Sequence, residues 1–337
     1  MYTYLGEYPY KTNLGGLAEE INGVCHDSNN WFFAQNGNLW KYPVSFDLNS
    51  IRSEKQGPDV LVVGKDNKIK IINPRRAIYK HERVKGEHFG DIDYYEGKIY
   101  VPVKVGSKCS IRMYNASNLT FVKEQVMKRA DGKPFSDIGW LAINPNNGFL
   151  YTSENTISSK SPIYIYKIGS FDKSETLEFI TTAKLFDENR KDLTRGCMQG
   201  GCFDAYNRLY LNNGYFKGWD WDSKKTFPLT YRDSYANSKG GISVFKTPSS
   251  LPTKGTCQNL IRIAASNQKS GFRYQFDGEY QEPEGLTWWD LDKNANKAPK
   301  ISGQLHAIML GNKSKIRNSK NYDHIYFKHY KCNATTT

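Results

Sequence analysis

One arrangement of apolar and polar positions recurs five times along the chain. A glycine opens a short, mostly apolar run at Gly23, Gly90, Gly139, Gly201 and Gly285, and in most copies a polar turn rich in Asn, Asp or Gly follows at once. A second run with an aromatic and aliphatic centre comes next: Trp31–Phe33, Lys98–Val101, Phe149–Tyr151, Arg208–Leu211 and Gln304–Ile308. A third run alternates: Leu39–Tyr42, Ser110–Tyr114, Ile163–Tyr166, Gly241–Phe245 and His324–Phe327. Short runs rich in β-branched and aromatic residues, set off by turn residues, predict strands. Helical periodicity is convincing nowhere; the nearest approach, Ser174 to Asn189, mixes β-branched and aromatic residues and is marginal.

Strand triplets or quartets returning at intervals of roughly 50 to 85 residues read as an all-β β-propeller, with five blades of four antiparallel strands around a central channel. The blades are expected to start near residues 21, 88, 137, 199 and 282, so that 1–337 form a single domain. Glycine suits the start of an innermost strand, because a backbone without Cβ can approach its neighbours near the axis. Ring closure calls for Tyr2–Leu5 as the outer strand of the last blade, which also covers an edge that would otherwise pair promiscuously.

The phrases "NWFFAQNGNLWKYPVSFDLN", "HFGDIDYYEGKIYVPV" and "EGLTWWDLD…GQLHAIML" resemble a group of mostly bacterial, secreted proteins with no assigned activity. The likeness covers most of the chain and implies a propeller-type fold; it transfers no catalytic residue. In blade number the chain is also similar to tachylectin-like lectins and to five-bladed glycoside hydrolases, without matching the motifs of either.

Charge and cysteine content narrow the field little. A net charge of +13 raises affinity for any polyanion. It is concentrated between Lys65 and Lys85 and between Lys313 and Lys331, a basic seam that could act as a scaffold for polyanions, though no nucleic-acid module accompanies it. Six widely spaced cysteines are too few for a disulfide scaffold, and Cys197-x4-Cys202 marks either buried thiols or one local disulfide. No apolar stretch is long enough for a membrane span. The opening MYTYLGEYPYKTN is polar and aromatic where a secretory signal needs an apolar core, so the chain is expected to be the processed form of an extracellular protein.

Candidate chemistry follows from the ring. In a propeller the residues before each anchor glycine converge on one opening, and here they supply Asn22, His88, Asp137, Gln199 and Glu284. Asp91 and Asp93 are expected just inside, with His26 and Asp204. Between the second and third runs of the fourth copy, residues 212–239 form the longest insertion of the repeat and carry Tyr215, Trp219 and Trp221. Aromatic rings beside amides and carboxylates suit a glycan or another hydroxylated ligand, so the leading expectation is a lectin-like, carbohydrate-binding protein. Glu284, Asp91, Asp137 and His88 are the catalytic candidates for a hydrolase alternative, glycosidase-like or Ca²⁺-dependent, and Asp91, Asp93 and Glu284 are the candidate ligands of that Ca²⁺. The nucleophile-elbow, Walker, Rossmann and H-E-x-x-H patterns are absent.

Overall fold

In a computed structural model, residues 1–8, 21–48, 60–63, 68–71, 78–81, 87–169, 177–213, 219–220, 225–226, 241–266, 272, 280–293, 298–312 and 324–333 are described. Among them every regular element is a strand.

β1 (Tyr2–Glu7) stands apart in sequence from the sheet it completes. The first sheet is built from β2 (Ile21–His26), β3 (Asn30–Gln35), β4 (Asn38–Pro43), β5 (Val60–Val63), β6 (Ile69–Ile71) and β7 (Ile78–His81), in the order β2-β3-β4-β7-β5-β6. The second comprises β8 (Glu87–Phe89), β9 (Asp93–Tyr95), β10 (Lys98–Val105), β11 (Lys108–Asn115) and β12 (Phe121–Val126); β8 and β9 both pair with β10, at its two ends. Next come β13 (Leu141–Ile143), β14 (Phe149–Thr152), β15 (Ile163–Ile168), β16 (Leu177–Phe186), β17 (Met198–Phe203) and β18 (Arg208–Asn213), the small pair β19 (Trp219–Asp220) and β20 (Lys225–Thr226), then β21 (Gly241–Lys246) and β22 (Gln258–Ala265). The last sheet holds β23 (Tyr280–Trp288), β24 (Leu305–Asn312) and β25 (His324–Cys332), and β1 pairs antiparallel with β25.

Local chemistry explains the turns. Between β9 and β10 the pair Tyr95↔Lys98 leaves a two-residue loop, Glu96-Gly97, with φ of 46° and 78°. Positive φ at both positions matches the right-handed twist of the flanking strands, and Gly97 adopts it without a Cβ clash.

Alternation along the strands sends side chains to both faces of each sheet, and the apolar ones meet between sheets. Trp31 and Phe33 pack with Trp289, Ile308 and Phe327, while Phe32 and Ala34 on the other face pack with Phe89, Ile99 and Val101. Tyr100, Ile111 and Met113 meet Leu141 and Leu150; Trp140 and Ile165 meet Met198 and Leu211; Tyr210 and Val244 meet Leu286 and Met309. The core is thus a circuit of apolar layers that returns to the first sheet, as a propeller-like fold requires. Each fully buried large side chain contributes on the order of 1.5–3 kcal/mol.

Within Ser174 to Asn189, where helical periodicity is marginal, lies β16, whose β-branched and aromatic residues pair along β15, in keeping with the all-β reading. One expectation needs correction. The third and fourth copies of the repeat do not form separate sheets: β16 and β22 pair in parallel, Ala183↔Gln258 through Phe186↔Ile261, and join them into eight strands. Of the two basic segments, the first supplies β6 and β7, whose side chains lie outside the described residues. In the second, Lys328 is fully buried against Glu7 at 3.2 Å and Lys331 reaches Asp292 at 3.6 Å.

Candidate functional site

The inner strands begin on one face, and glycines at or, in the fourth copy, next to the anchors close on neighbouring backbones; the fourth anchor itself, Gly201, faces Trp140 and Leu211. A Cβ on Gly23 would stand 2.8 Å from the Gly90 carbonyl oxygen, one on Gly90 would stand 2.2 Å from that of Gly139, and one on Gly139 would stand 2.9 Å from that of Met198. A Cβ on Gly285 would stand 2.7 Å from the Gly23 Cα, and one on Gly200 would stand 2.4 Å from the Glu284 carbonyl oxygen. These are distances at which no side chain fits, so the backbones close on one another and glycine is required at the crossing.

Asp91 fills what remains of the axis. It lies in the break between β8 and β9 and is completely buried. Its Oδ1 accepts the N–H groups of Val24 and Ile92, both at 3.0 Å, and its Oδ2 accepts those of Gly201 at 2.9 Å and Leu286 at 3.1 Å. Its own N–H donates to the Gly139 carbonyl at 2.8 Å. Burial pushes the carboxyl well above its ordinary range, and the amides of Leu286, Gly201 and Val24 pull against that. At this level a buried carboxylate and the amides that it accepts occupy the space between the inner strands, and the polar groups of the rim lie beyond it.

The rim residues are distributed unequally. Asn22 is buried and donates from Nδ2 to the Phe89 carbonyl at 2.8 Å. Glu284 is buried, and its carbonyl oxygen accepts Asn212 Nδ2–H at 2.9 Å; the Asn212 Oδ1 is buried without a partner. Gln199 is half-buried, at a bulge between Met198 and Gly200. Asp137 is half-buried and pairs with Lys104 Nζ at 3.2 Å. His88 is exposed, between the buried Glu87 and Phe89. Period-two alternation turns it away, and the group that the second sheet buries here is Glu87, which pairs with Arg112; Arg112 in turn holds Glu124 at 3.1 Å. The sequence signal for Glu87 was that same alternation, read one residue out of phase.

Of the residues expected just inside with Asp91, His26 ends β2 and Asp204 follows the end of β17, whereas Asp93 begins β9 two positions after Asp91. Asp93 accepts the N–H of Tyr94 at 2.8 Å and, across the sheet boundary, that of Ile143 at 2.7 Å; burial raises its carboxyl to about 7. Among the described residues no three or more of His, Cys, Asp and Glu are grouped to hold a metal ion. Asp91, Asp93 and Glu284 are therefore not a Ca²⁺ cage, and both oxygens of Asp91 are committed to amides, which leaves it unsuited to act as nucleophile or base. All six cysteines are free, with Cys197 and Cys202 buried, so the local disulfide is not formed.

The long insertion is rooted beside this rim. Asn213 and Gly241 are register partners at the ends of β18 and β21, and Asn212 reaches Glu284 in the middle of β23. Trp219 lies on β19, paired with Thr226; its side chain, together with Tyr215 and Trp221, is outside the described residues.

No protein-family model matches the chain, and no curated protein does. Among solved structures it is similar to a PQQ-bound aldose sugar dehydrogenase from Streptomyces coelicolor, at 8% identity over 98% of this chain and 99% of that one, with a TM-score of 0.44. It is also similar to a nidogen/laminin complex, at 12% identity over 84% and 71% with a TM-score of 0.40. A gluconolactonase from Xanthomonas campestris matches at 11% identity over 94% and 88% with a TM-score of 0.38. At this distance the likeness assigns no activity.

Proposed function

We propose that the chain is a five-bladed propeller, one domain closed by β1, that binds a glycan or similar hydroxylated ligand at the rim beyond Asp91. The carrying observation is Asn212: it is the first residue of the aromatic-rich insertion, and it bonds to the backbone of Glu284 in the neighbouring sheet. That bond holds the root of the insertion over the ring of Asn22, Gln199 and Glu284. Polar rim groups would offer hydrogen bonds to hydroxyls, and the insertion's Tyr215, Trp219 and Trp221 would supply rings for stacking.

The five-blade reading is supported by the five glycine contacts and by the return of the apolar circuit to the first sheet. Parallel pairing of β16 with β22 joins two blades at their outer edges without altering their inner strands. Binding of polyanions at the basic seam has less support, because Lys328 is spent on Glu7.

The test is a glycan array with wild type and the double variant Trp219→Ala, Trp221→Ala. Retention of a neutral glycan by the wild type and its loss in the variant, with the melting temperature unchanged, is the expected result. Absence of any retained neutral glycan overturns the reading.

A further inference from the structure

On the opposite face, where the inner strands end, Arg208 has donors that the fold leaves unused. Asp204, buried after β17, accepts at Oδ1 the N–H groups of Tyr206 (2.8 Å) and Arg208 (2.9 Å). At Oδ2 it accepts Arg208 Nε–H (2.5 Å) and the Tyr210 hydroxyl (3.1 Å). With two bonds on each oxygen, the carboxylate holds the guanidinium by one edge and has no capacity left for its terminal amino groups. Nη2 is buried without a partner, and among the described residues no acceptor takes Nη1.

Two rings flank the cation. The guanidinium carbon lies 5.2 Å from the Tyr206 ring centre and 6.0 Å from that of Trp288. Trp288 is half-buried at the end of β23, whereas Tyr206 is 60% exposed, in the turn between β17 and β18. Tyr206 is thus the exposed ring beside the cation, while the bond from Nε–H to Asp204 holds the guanidinium in place.

We propose that Arg208, Tyr206 and Trp288 form a second binding site, for a carboxylate-bearing sugar ring such as the uronate of an acidic glycan. A planar pair of N–H donors matches a carboxylate in a two-point contact that a neutral hydroxyl cannot reproduce. An exposed tyrosine ring covers the C–H face of a pyranose, and the net charge of +13 draws anions to the surface. The site is separate from the rim and does not depend on the proposal made for it.

The test is calorimetric titration of the full chain with trigalacturonate, its methyl ester and inorganic phosphate. The wild type is expected to bind the free acid saturably, and the ester and phosphate at least tenfold more weakly. Arg208→Lys, which keeps the charge beside Asp204 but loses the fork, is expected to weaken the acid at least tenfold. Tyr206→Ala, an exposed change, is expected to weaken it severalfold, and Trp219→Ala with Trp221→Ala to leave it unchanged. No saturable binding of the acid, equal affinity for ester or phosphate, or loss in the Trp219/Trp221 variant overturns the proposal. If Arg208→Lys does not fold, Tyr206→Ala decides: unchanged affinity there also overturns it.

Discussion

Asp91 Oδ2 accepts the backbone N–H of Leu286 at 3.1 Å, although 195 positions separate the two residues in the chain. The contact is possible only because inner strands of different sheets converge, and it performs a task that convergence creates. The innermost strand of each sheet turns one edge to the axis, where its N–H groups have no further strand to pair with. One carboxylate satisfies such donors from β2, β17 and β23.

Asp91→Ala is expected to orphan those donors and to cost about 3–5 kcal/mol, since each buried unsatisfied group costs about 1–3. Asp91→Asn, which keeps one acceptor oxygen, is expected to cost less. Urea denaturation measures both, and a loss below about 1 kcal/mol for the alanine variant would show that the axis is held by other contacts.

Gly90→Ala places a methyl group 2.2 Å from the Gly139 carbonyl oxygen, where backbone rather than a flexible side chain must yield. Failure to fold, or a midpoint shift equivalent to more than about 3 kcal/mol, is the expected outcome. A soluble variant of near-wild-type stability would count against the tight crossing.

Two buried histidines, His306 and His329, and the half-buried His26 sit where the first and last sheets meet. His26 faces the Asp27 and Trp288 carbonyls, His306 Nδ1 faces His329 Nδ1 at 2.8 Å, and His329 Nε2 faces the Tyr8 carbonyl at 2.9 Å. Burial lowers all three, His306 strongly and His329 to about 4. The unfolded chain therefore takes up protons first, and the histidine contribution to stability is present above pH 6.5 and lost as pH falls toward about 4. Asp93, raised to about 7, acts in the opposite sense, because its native form takes up a proton while the unfolded one is still ionised. Single variants separate the two. The deficit of His329→Gln relative to wild type should shrink by up to roughly 3 kcal/mol between pH 6.5 and 4. Asp93→Asn should gain on wild type as pH rises through 7. Unfolding curves at pH 4.5, 6 and 8 check both; a pH-independent difference for His329→Gln would refute its part.

Glu7→Gln leaves the Lys328 ammonium buried without its carboxylate, a change that typically costs about 3–5 kcal/mol. Because Glu7 belongs to β1, faster hydrogen exchange is expected first in β1 and β25. Uniform acceleration across all sheets would instead point to global destabilisation.

Much of the fold was legible because strand periodicity is local. The third-run assignments Leu39–Tyr42 and Ile163–Tyr166 fall within β4 and β15, since an apolar and polar alternation of period two commits a segment to one pairing phase. The site was legible only in part. His88 was placed at the opening by counting back from Gly90, yet its strand turns it outward and buries Glu87 instead. Asp91 was expected just inside the opening, but that both its oxygens are engaged depends on amides from β2, β17 and β23, which no local pattern reveals. Arg208 looked like an ordinary strand start; the fork it leaves open depends on Tyr210 taking the fourth bond to Asp204, and its second flanking ring, Trp288, comes from β23.

The amino-acid sequence by itself determined where strands form, which residues they bury and where glycine must stand, because these depend on side-chain alternation and on the space beside one backbone. Only the tertiary structure decided that the axis is filled by Asp91, that β16 and β22 join edge to edge, and which polar groups keep spare capacity. Those outcomes depend on how many donors and acceptors from distant strands arrive at the same point, a count that exists only once the sheets are packed around it.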